Sequence, residues 1–526
     1  MTAVLSTDLT AVAPRTRLRA VVLGVLANPR RALLVAVLLA IATVGFDALS
    51  DPDVWWHVRL GQWMLANHRV PTAELFSYTA AGNPMTAHEW LSDTIFAALN
   101  GLGGLFAVAL VMGVACWSGF VVIALRAARR GAGPVSCALG LALGAKAAEP
   151  VLGARPQVFT FVLISWVLLA AESYLHSGGR RRWLIPLVVL VWANLHAGFV
   201  AGLGALVLVL VAETAKRLLH ESSAAPWQRI RGLLVVSGTA ALAACVNPAG
   251  PSLYHFALTV SATEGQKGIV EWLSPNFHDP GLWALLALIV SFAVMPALGA
   301  RLDLRDALLA AAGTALALTA VRDTAICVAL VTPGWIAMAA GVARARARRS
   351  TGVLPRPRTV SLAACVAGAA VVGTGGATAA AGVARMAAQT TEAGVAAAYP
   401  SCVAAVLSRA PNPQRVFSVY GNAGYLINRL YPRARVYEYG ESISLGFSVF
   451  RDYQRIAAGA TTSPSALQLL ERSGTTAVVY PAGELTAELD RTSGWTRVLR
   501  DQSGTLLYVR GSAAWAAGTT GCSVSS

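Results

Sequence analysis

Apolar runs long enough to cross a bilayer core constrain this chain more than any motif it carries. They recur near residues 31–49, 104–125, 134–150, 157–174, 199–215, 232–247, 281–299, 306–321, 324–342 and 360–377. Each approaches the roughly 20 residues that a membrane-spanning helix needs. A soluble globule is about a quarter charged, whereas this chain is 13% charged and 56% hydrophobic. The fold class read from these runs is therefore an α-helical polytopic membrane protein.

The stretch 183–215, interrupted only by Asn194 and His196, is too long for one helix and short for two. Arg180, Arg181 and Arg182 precede it, and Lys216, Arg217, Arg229 and Arg231 follow it. Basic residues collect in cytoplasmic loops, so both ends belong on one side and the stretch is a hairpin turning at 194–198. The same rule places Arg15, Arg17, Arg19, Arg30 and Arg31 inside, then Arg126, Arg129 and Arg130, then Arg301 and Arg305, then the arginines of 344–358. About eleven crossings result, with a cytoplasmic N-terminus.

The organisation expected is a basic cytoplasmic tail (1–30), a transmembrane domain (31–379) whose first external loop is 51–103, and an extracytoplasmic domain (380–526), in a plasma membrane. The run after Arg31 is too long for the core of a cleaved signal and reads as a signal anchor. The formal charge of +16 is accounted for by topology and by attraction to anionic membrane lipids, and gives no support to a nucleic-acid partner. Cys116, Cys137, Cys245, Cys327 and Cys365 fall in apolar runs without metal-ligand spacing and read as small core residues. Cys402 and Cys522 bracket the external domain, where a disulfide between them is chemically permitted.

Ionisable residues near hydrocarbon are costly, which makes them functional candidates by default. The topology gathers Asp51, Asp53, His57, His88, Glu89, Glu149, Arg155, Gln157, Asn194, His196, Asn247, Tyr254, His255, Glu271, His278, Asp279, Arg322 and Asp323 on the outer side and leaves mostly arginines on the inner. Any chemistry is thus expected on the external face. Trp55, Trp56, Leu60, Trp63 and Met64, and again Trp90, Leu91, Ile95 and Phe96, have helical spacing. They predict two short amphipathic helices in the interface with tryptophans at headgroup depth.

An acidic motif after the first span, a large first external loop and a C-terminal external domain together resemble the GT-C superfamily of membrane glycosyltransferases. The motifs Asp51-Pro-Asp-Val-Trp-Trp-His-Val with Gly61, Phe76-Ser77, His88-Glu89-Trp90-Leu91, Arg155-Pro-Gln157, Trp192-Ala-Asn-Leu-His-Ala-Gly198, Asn247-Pro248 and Glu271-Trp272 look like a bacterial membrane family allied to it. The high arginine and alanine usage suggests an actinobacterial source.

The resemblance implies a polyprenyl-phosphate-linked sugar donor and a glycan, lipid or protein acceptor of the cell envelope. A carboxylate takes the acceptor proton, inversion follows, and cations or a metal meet the departing phosphate. Asp53 is the first choice for the base and Asp51 its rival. Glu89 is a further catalytic candidate, to hold the acceptor or a metal. Arg155, Arg322, His57 and His196 are candidates to bind the donor phosphate, and His88, Gln157, Asn194 and Glu271 to support the acceptor. No cofactor is called for beyond the alternative of a divalent metal, for which Glu89, His57, His88 and His196 are candidate ligands.

Each role has a plainer alternative. Asp51 and Asp53 are good helix caps, Arg155 a headgroup-seeking side chain, Asn194 and His196 a means of satisfying a buried turn, and the tryptophans a membrane belt. Two other functional classes stand against the enzyme. A non-catalytic assembly partner in envelope synthesis needs the acids only as caps. A transporter is disfavoured because no repeat is found and Lys146 is the only deep charge.

After residue 380 the pattern predicts a small α/β domain, mostly parallel, with a hairpin at 501–504. Gly421-Asn-Ala-Gly424 lacks the full phosphate-binding fingerprint. Glu438 and Glu441 stand near a strand end as candidates to meet an acceptor, with a solvated loop as the plainer reading. Residues 511–526 read as a frayed tail.

Overall fold

The computed structural model describes residues 22–46, 51–260, 268–350, 362–511 and 515. Every apolar window of the sequence is helical: α1 Pro29–Ala40, α3 Trp90–Arg129, α4 Pro134–Ala148, α5 Gln157–Ser177, α6 Leu184–Leu195, α7 Phe199–Leu218, α8 Trp227–Ala243, α10 Trp283–Val294, α11 Leu304–Thr319, α12 Thr324–Ser350 and α13 Leu362–Gln389. Between them lie α2 Val54–Asn67 and α9 Ser252–Thr259. Among the described residues, six helical segments are long and apolar enough to cross a membrane alone. The others, such as α6 with 12 residues and α4 with 15, fall short of that length. The chain is a multi-pass membrane protein.

The hairpin predicted at 194–198 is present, because α6 ends at Leu195 and α7 begins at Phe199. The loop 51–103 contributes α2 and the first turns of α3. Within α3 the backbone breaks at Gly104, whose φ of 63° and ψ of −162° suit only glycine. That kink separates a segment lying beside α2 from the membrane-crossing part of the same helix.

The C-terminal domain begins with α14 Glu392–Ala398 and α15 Ser401–Leu407. It continues through β1 Gln414–Ser418, α16 Tyr420–Leu430, β2 Ala434–Val436, α17 Ser442–Leu445, α18 Phe447–Ala457, α19 Ala466–Arg472, β3 Ala477–Pro481, α20 Glu484–Arg491, β4 Trp495–Arg500 and β5 Thr505–Arg510. The sheet order is β2-β1-β3-β5-β4. β2, β1 and β3 are parallel, whereas β5 is antiparallel to both β3 and β4. The sheet is therefore mixed and not mostly parallel, because the turn after Arg500 folds β5 back between β4 and β3. Cys522 lies outside the described residues, as does most of the 511–526 tail, so the Cys402–Cys522 pairing is not described.

One continuous apolar core runs from the membrane helices into this domain. Residues 76–78 extend the sheet at its β2 edge: Val436 N donates to Phe76 O at 2.9 Å and Tyr78 N to Val436 O at 3.1 Å. An open sheet edge is thereby covered. Trp55 and Trp56 are 6% and 4% exposed. Trp55 packs edge-on against Tyr399 and Tyr425, and Trp56 against Tyr439. The belt expected at headgroup depth is, for this pair, the seam between the 51–103 loop and the C-terminal domain.

Candidate active site

Two linked clusters of charge lie where α2, the start of α3, the α4–α5 connection, the α6–α7 hairpin and the C-terminal domain converge. Arg155 is the centre of the first. Its Nε meets Asp51 Oδ2, its Nη1 lies 2.6 Å from Glu271 Oε2, and its Nη2 lies 3.7 Å from Asp53 Oδ2. A guanidinium presents several donors in a fixed fork, so one arginine can bind three carboxylates from two loops at once. Arg155 is thus held among acids and does not reach toward headgroups.

The two aspartates differ. Asp51 is 4% exposed, and its second oxygen accepts from the backbone N–H of Asp53 at 3.0 Å. The Asp53 side chain retains 22% of its exposure, and its Oδ1 accepts from Trp56 Nε1 at 3.0 Å. Asp53 occupies the cap position of α2 without any side-chain bond to the helix N–H groups. The capping alternative is therefore not realised there. Burial, and next the Asp51 carboxylate, raise Asp53 to about 6 against the pull of Arg155.

Glu89 centres the second cluster. Its Oε1 lies 3.3 Å from His196 Nε2 and 3.5 Å from His88 Nε2, and its Oε2 lies 3.8 Å from His57 Nε2. The His196 Nδ1 accepts from the backbone N–H of Gly198 at 2.9 Å, so the proton of the neutral ring sits on Nε2 and faces Glu89. Burial, reinforced by the field of Arg322 and the other imidazoles, outweighs Glu89 and lowers His196 to about 3. Burial also opposes charge on His88, but the Glu89 carboxylate outweighs it and raises that imidazole to about 9. Glu89 itself is held well below the ordinary carboxylate range: burial acts against its charge, and His88, then His196 and His57, overcome it. His57 is raised despite burial, chiefly by Asp93 at 2.6 Å, and it feels both Glu89 and Asp53.

The remaining predicted residues take supporting places. Arg322 stacks on Trp272 at 4.2 Å, with Nη1 4.0 Å from Glu271 Oε1 and Nη2 3.5 Å from Gln157 Oε1. It is far less engaged than Arg155. Gln157 donates to Val151 O at 2.8 Å. Asn194 ties the hairpin together, donating to Leu190 O and Val246 O and accepting from Trp90 Nε1 at 2.8 Å. It thereby positions the residue after Glu89 and does not face the acids. Glu149 lies elsewhere, in an exposed pair with Lys146, so that lysine is a surface charge and not a deep one.

The C-terminal domain roofs the site. A Cβ built on Gly440 would fall 2.2 Å from Asp53 Oδ1 and 2.7 Å from Trp56 Nε1, so only glycine permits this approach. Glu441 is 4% exposed, and burial raises it to about 7 in the field of His88. Glu438 is 1% exposed with neither oxygen bonded, and burial raises it to about 8. Neither acid sits in a solvated loop. Sequence reasoning did not single out Asp93, although it follows Glu89 by one helical turn, nor Thr160, whose hydroxyl lies 2.8 Å from His196 Nδ1.

Among the described residues, no group of three or more His, Cys, Asp or Glu side chains is arranged to hold a metal ion. Asp51, Asp53 and Glu271 are already drawn onto Arg155, and Glu89 onto three imidazoles. The donor set does not fit a metal, and no step is derived through one.

No protein-family model and no curated protein sequence matches the chain. Solved structures do. The archaeal oligosaccharyltransferase AglB from Archaeoglobus fulgidus, in complex with an inhibitory peptide and a dolichol-phosphate, aligns with a TM-score of 0.55 at 11% identity over 91% of this chain and 74% of its own. An Archaeoglobus fulgidus oligosaccharyltransferase tethered with an acceptor peptide aligns at 0.56 and 12% over 85% and 68%. ArnT from Cupriavidus metallidurans in the apo state aligns at 0.49 and 13% over 94% and 98%. At such identities the likeness is one of fold, and the conclusion rests on the first two: the chain has the fold of the GT-C membrane glycosyltransferases.

Proposed function

We propose that this GT-C fold acts as an inverting glycosyltransferase. It moves a sugar from a polyprenyl-phosphate donor to an extracytoplasmic envelope acceptor, with Asp53 as the base. The observation that carries the reading is the asymmetry of the acid pair. Asp51 is locked between Arg155 and the backbone, while Asp53 keeps an open carboxylate with a raised proton affinity beneath the external domain. A base must reach the proton that it takes and hold it near the working pH. The AglB structure of the same fold carries a dolichol-phosphate, which supports a lipid phosphate as the donor's carrier.

In the reaction an acceptor hydroxyl attacks the anomeric carbon as Asp53 takes its proton. The bond from that carbon to the phosphate oxygen breaks, and the lipid phosphate leaves with the electron pair. Arg322 is the cation with capacity left to meet it, stacked on Trp272 and only loosely bonded to Gln157 and Glu271. Arg155 positions the acids. Glu89 orders the imidazoles of His57, His88 and His196, whose N–H groups add positive potential. All eleven apolar helices cross the membrane in this reading, with the N-terminus cytoplasmic and the external domain on the acceptor side.

Purified protein supplied with a panel of radiolabelled polyprenyl-phosphate sugars and envelope acceptors should transfer one of them. Well-folded protein that neither binds nor transfers any donor across the panel would sink the reading in favour of a non-catalytic role in envelope assembly.

Gly440→Ala offers a test away from the acids themselves. The added methyl group pushes Asp53 off Trp56 or lifts the domain's roof, and small displacements of a reacting group are costly. Transfer is expected to fall roughly tenfold to a hundredfold, while membrane insertion and yield stay unchanged. Unaltered transfer in the folded variant would remove the roof from the mechanism.

A further inference from the structure

The C-terminal ends of α3, α5 and α7, with the segment joining α5 to α6, enclose a cavity of about 1100 Å³ at the other end of the bundle. Helix α5 begins beside Arg155 and has 21 residues, which at 1.5 Å each span roughly 30 Å. The cavity's basic rim, at Glu172–Ser177, thus lies roughly 20–30 Å along α5 from Arg155, while its apolar flank reaches back to Leu163.

Two chemistries meet in the cavity wall. One flank is apolar and open, with Trp166 45% and Leu184 52% exposed. The rest is cationic: eight arginine or lysine side chains line it against three carboxylates. Those carboxylates are already paired. Glu172 lies 2.8 Å from Arg126 and 2.6 Å from Arg130, while Glu213 and Asp303 lie 2.5 and 3.2 Å from Lys216. Arg129, Arg182 and Arg229 find only a serine hydroxyl, a tyrosine hydroxyl and two carbonyls. The Nε groups of Arg182 and Arg305 are buried with no acceptor. Surplus guanidinium donors converging on one cavity call for an anion with several oxygens.

We infer that this cavity binds the phosphate headgroup of an anionic lipid, whose chain leaves along the Trp166 and Leu184 flank. The cavity exceeds what a free phosphate fills, and the apolar flank would gain nothing from one. Basic pockets between membrane helices take anionic headgroups for the same reason. The site is independent of the acids at the opposite end and of the reaction assigned to them.

Native mass spectrometry of the full chain, released from mixed micelles of phosphatidylglycerol and phosphatidylcholine, tests this. Preferential retention of phosphatidylglycerol is expected. An Arg129→Gln/Arg181→Gln variant, altering two exposed residues outside the buried pairs, should lose about tenfold or more of that retention, given the worth of each basic residue near a charged lipid. Arg301→Gln, equally exposed but outside the cavity, should lose none. Should the double variant fold poorly, Arg181→Gln alone gives the same contrast with a smaller shift. Equal retention of both lipids, or equal loss with Arg301→Gln, would overturn the site. Displacement of the lipid by stoichiometric glycerol phosphate would overturn the assignment to an amphiphile.

Discussion

Replacing Asp53 by asparagine is expected to lower sugar transfer by roughly 10²–10⁴-fold, the usual contribution of a positioned base, while donor binding stays near wild type. Asparagine keeps the oxygen that accepts from Trp56 Nε1, so the start of α2 should hold its shape. The pH profile adds a second reading. With Asp53 raised to about 6, the wild-type rate should rise with pH as the base loses its proton, reach half its maximum near that value and flatten above it. Asp51→Asn removes the neighbouring negative charge that helps raise Asp53, and leaves Arg155 freer to draw on it. Both changes lower the proton affinity of Asp53. The rising limb should therefore move to lower pH, whereas in Asp53→Asn it should vanish. Rates of the two folded variants measured across pH 5–8 separate these outcomes, and an Asp53→Asn protein that retains full activity would take the base away from this residue.

What could be read beforehand follows from where physics acts locally. A helix in lipid must satisfy its own backbone, so each span declared itself as an apolar run, and charge on both sides of 183–215 was enough to place the turn now seen between Leu195 and Phe199. The ionisable residues of the external loops were equally legible, because charge beside hydrocarbon is rarely idle. Contacts between distant segments were not. Asn428 donates to the carbonyl of Trp55 from 373 positions away, and nothing near either residue announces it. The tryptophans after Asp53 carried the pattern of an interfacial helix, and the same amphipathic face serves equally well against the tyrosines of a folded domain. Nothing in the sequence marks Gly440, which the fold alone brings against Asp53. Glu438 and Glu441 read as solvated for the same reason, since burial by another domain leaves no periodic trace.

Arg155 is expected to matter more for integrity than for contact with the donor. It is the only cation within ion-pair reach of Asp51 and Asp53 among the described residues, and it shares Glu271 with Arg322. Arg155→Gln leaves three carboxylates from two loops facing one another with that charge gone. Breaking a buried pair by removing one partner typically costs about 3–5 kcal/mol, so a large fall in the thermal unfolding midpoint of the purified protein is expected at pH 8. The sign of the pH dependence follows from the acids left behind. Glu271 is held below its ordinary range by Arg155 and Arg322 against burial, and Asp53 stands at about 6 even with the arginine present. Without the guanidinium Asp53 and Glu271 gain proton affinity, and protonation relieves the repulsion among the acids. The variant's deficit should therefore be full above pH 7 and shrink as pH falls toward 5. Arg155→Lys, which keeps the charge but not the fork, should recover part of the midpoint and little of the transfer rate. A deficit of the same size at pH 5 and pH 8 would mean that Arg155 stabilises the protein by packing alone, and the three acids would then need another source for their convergence.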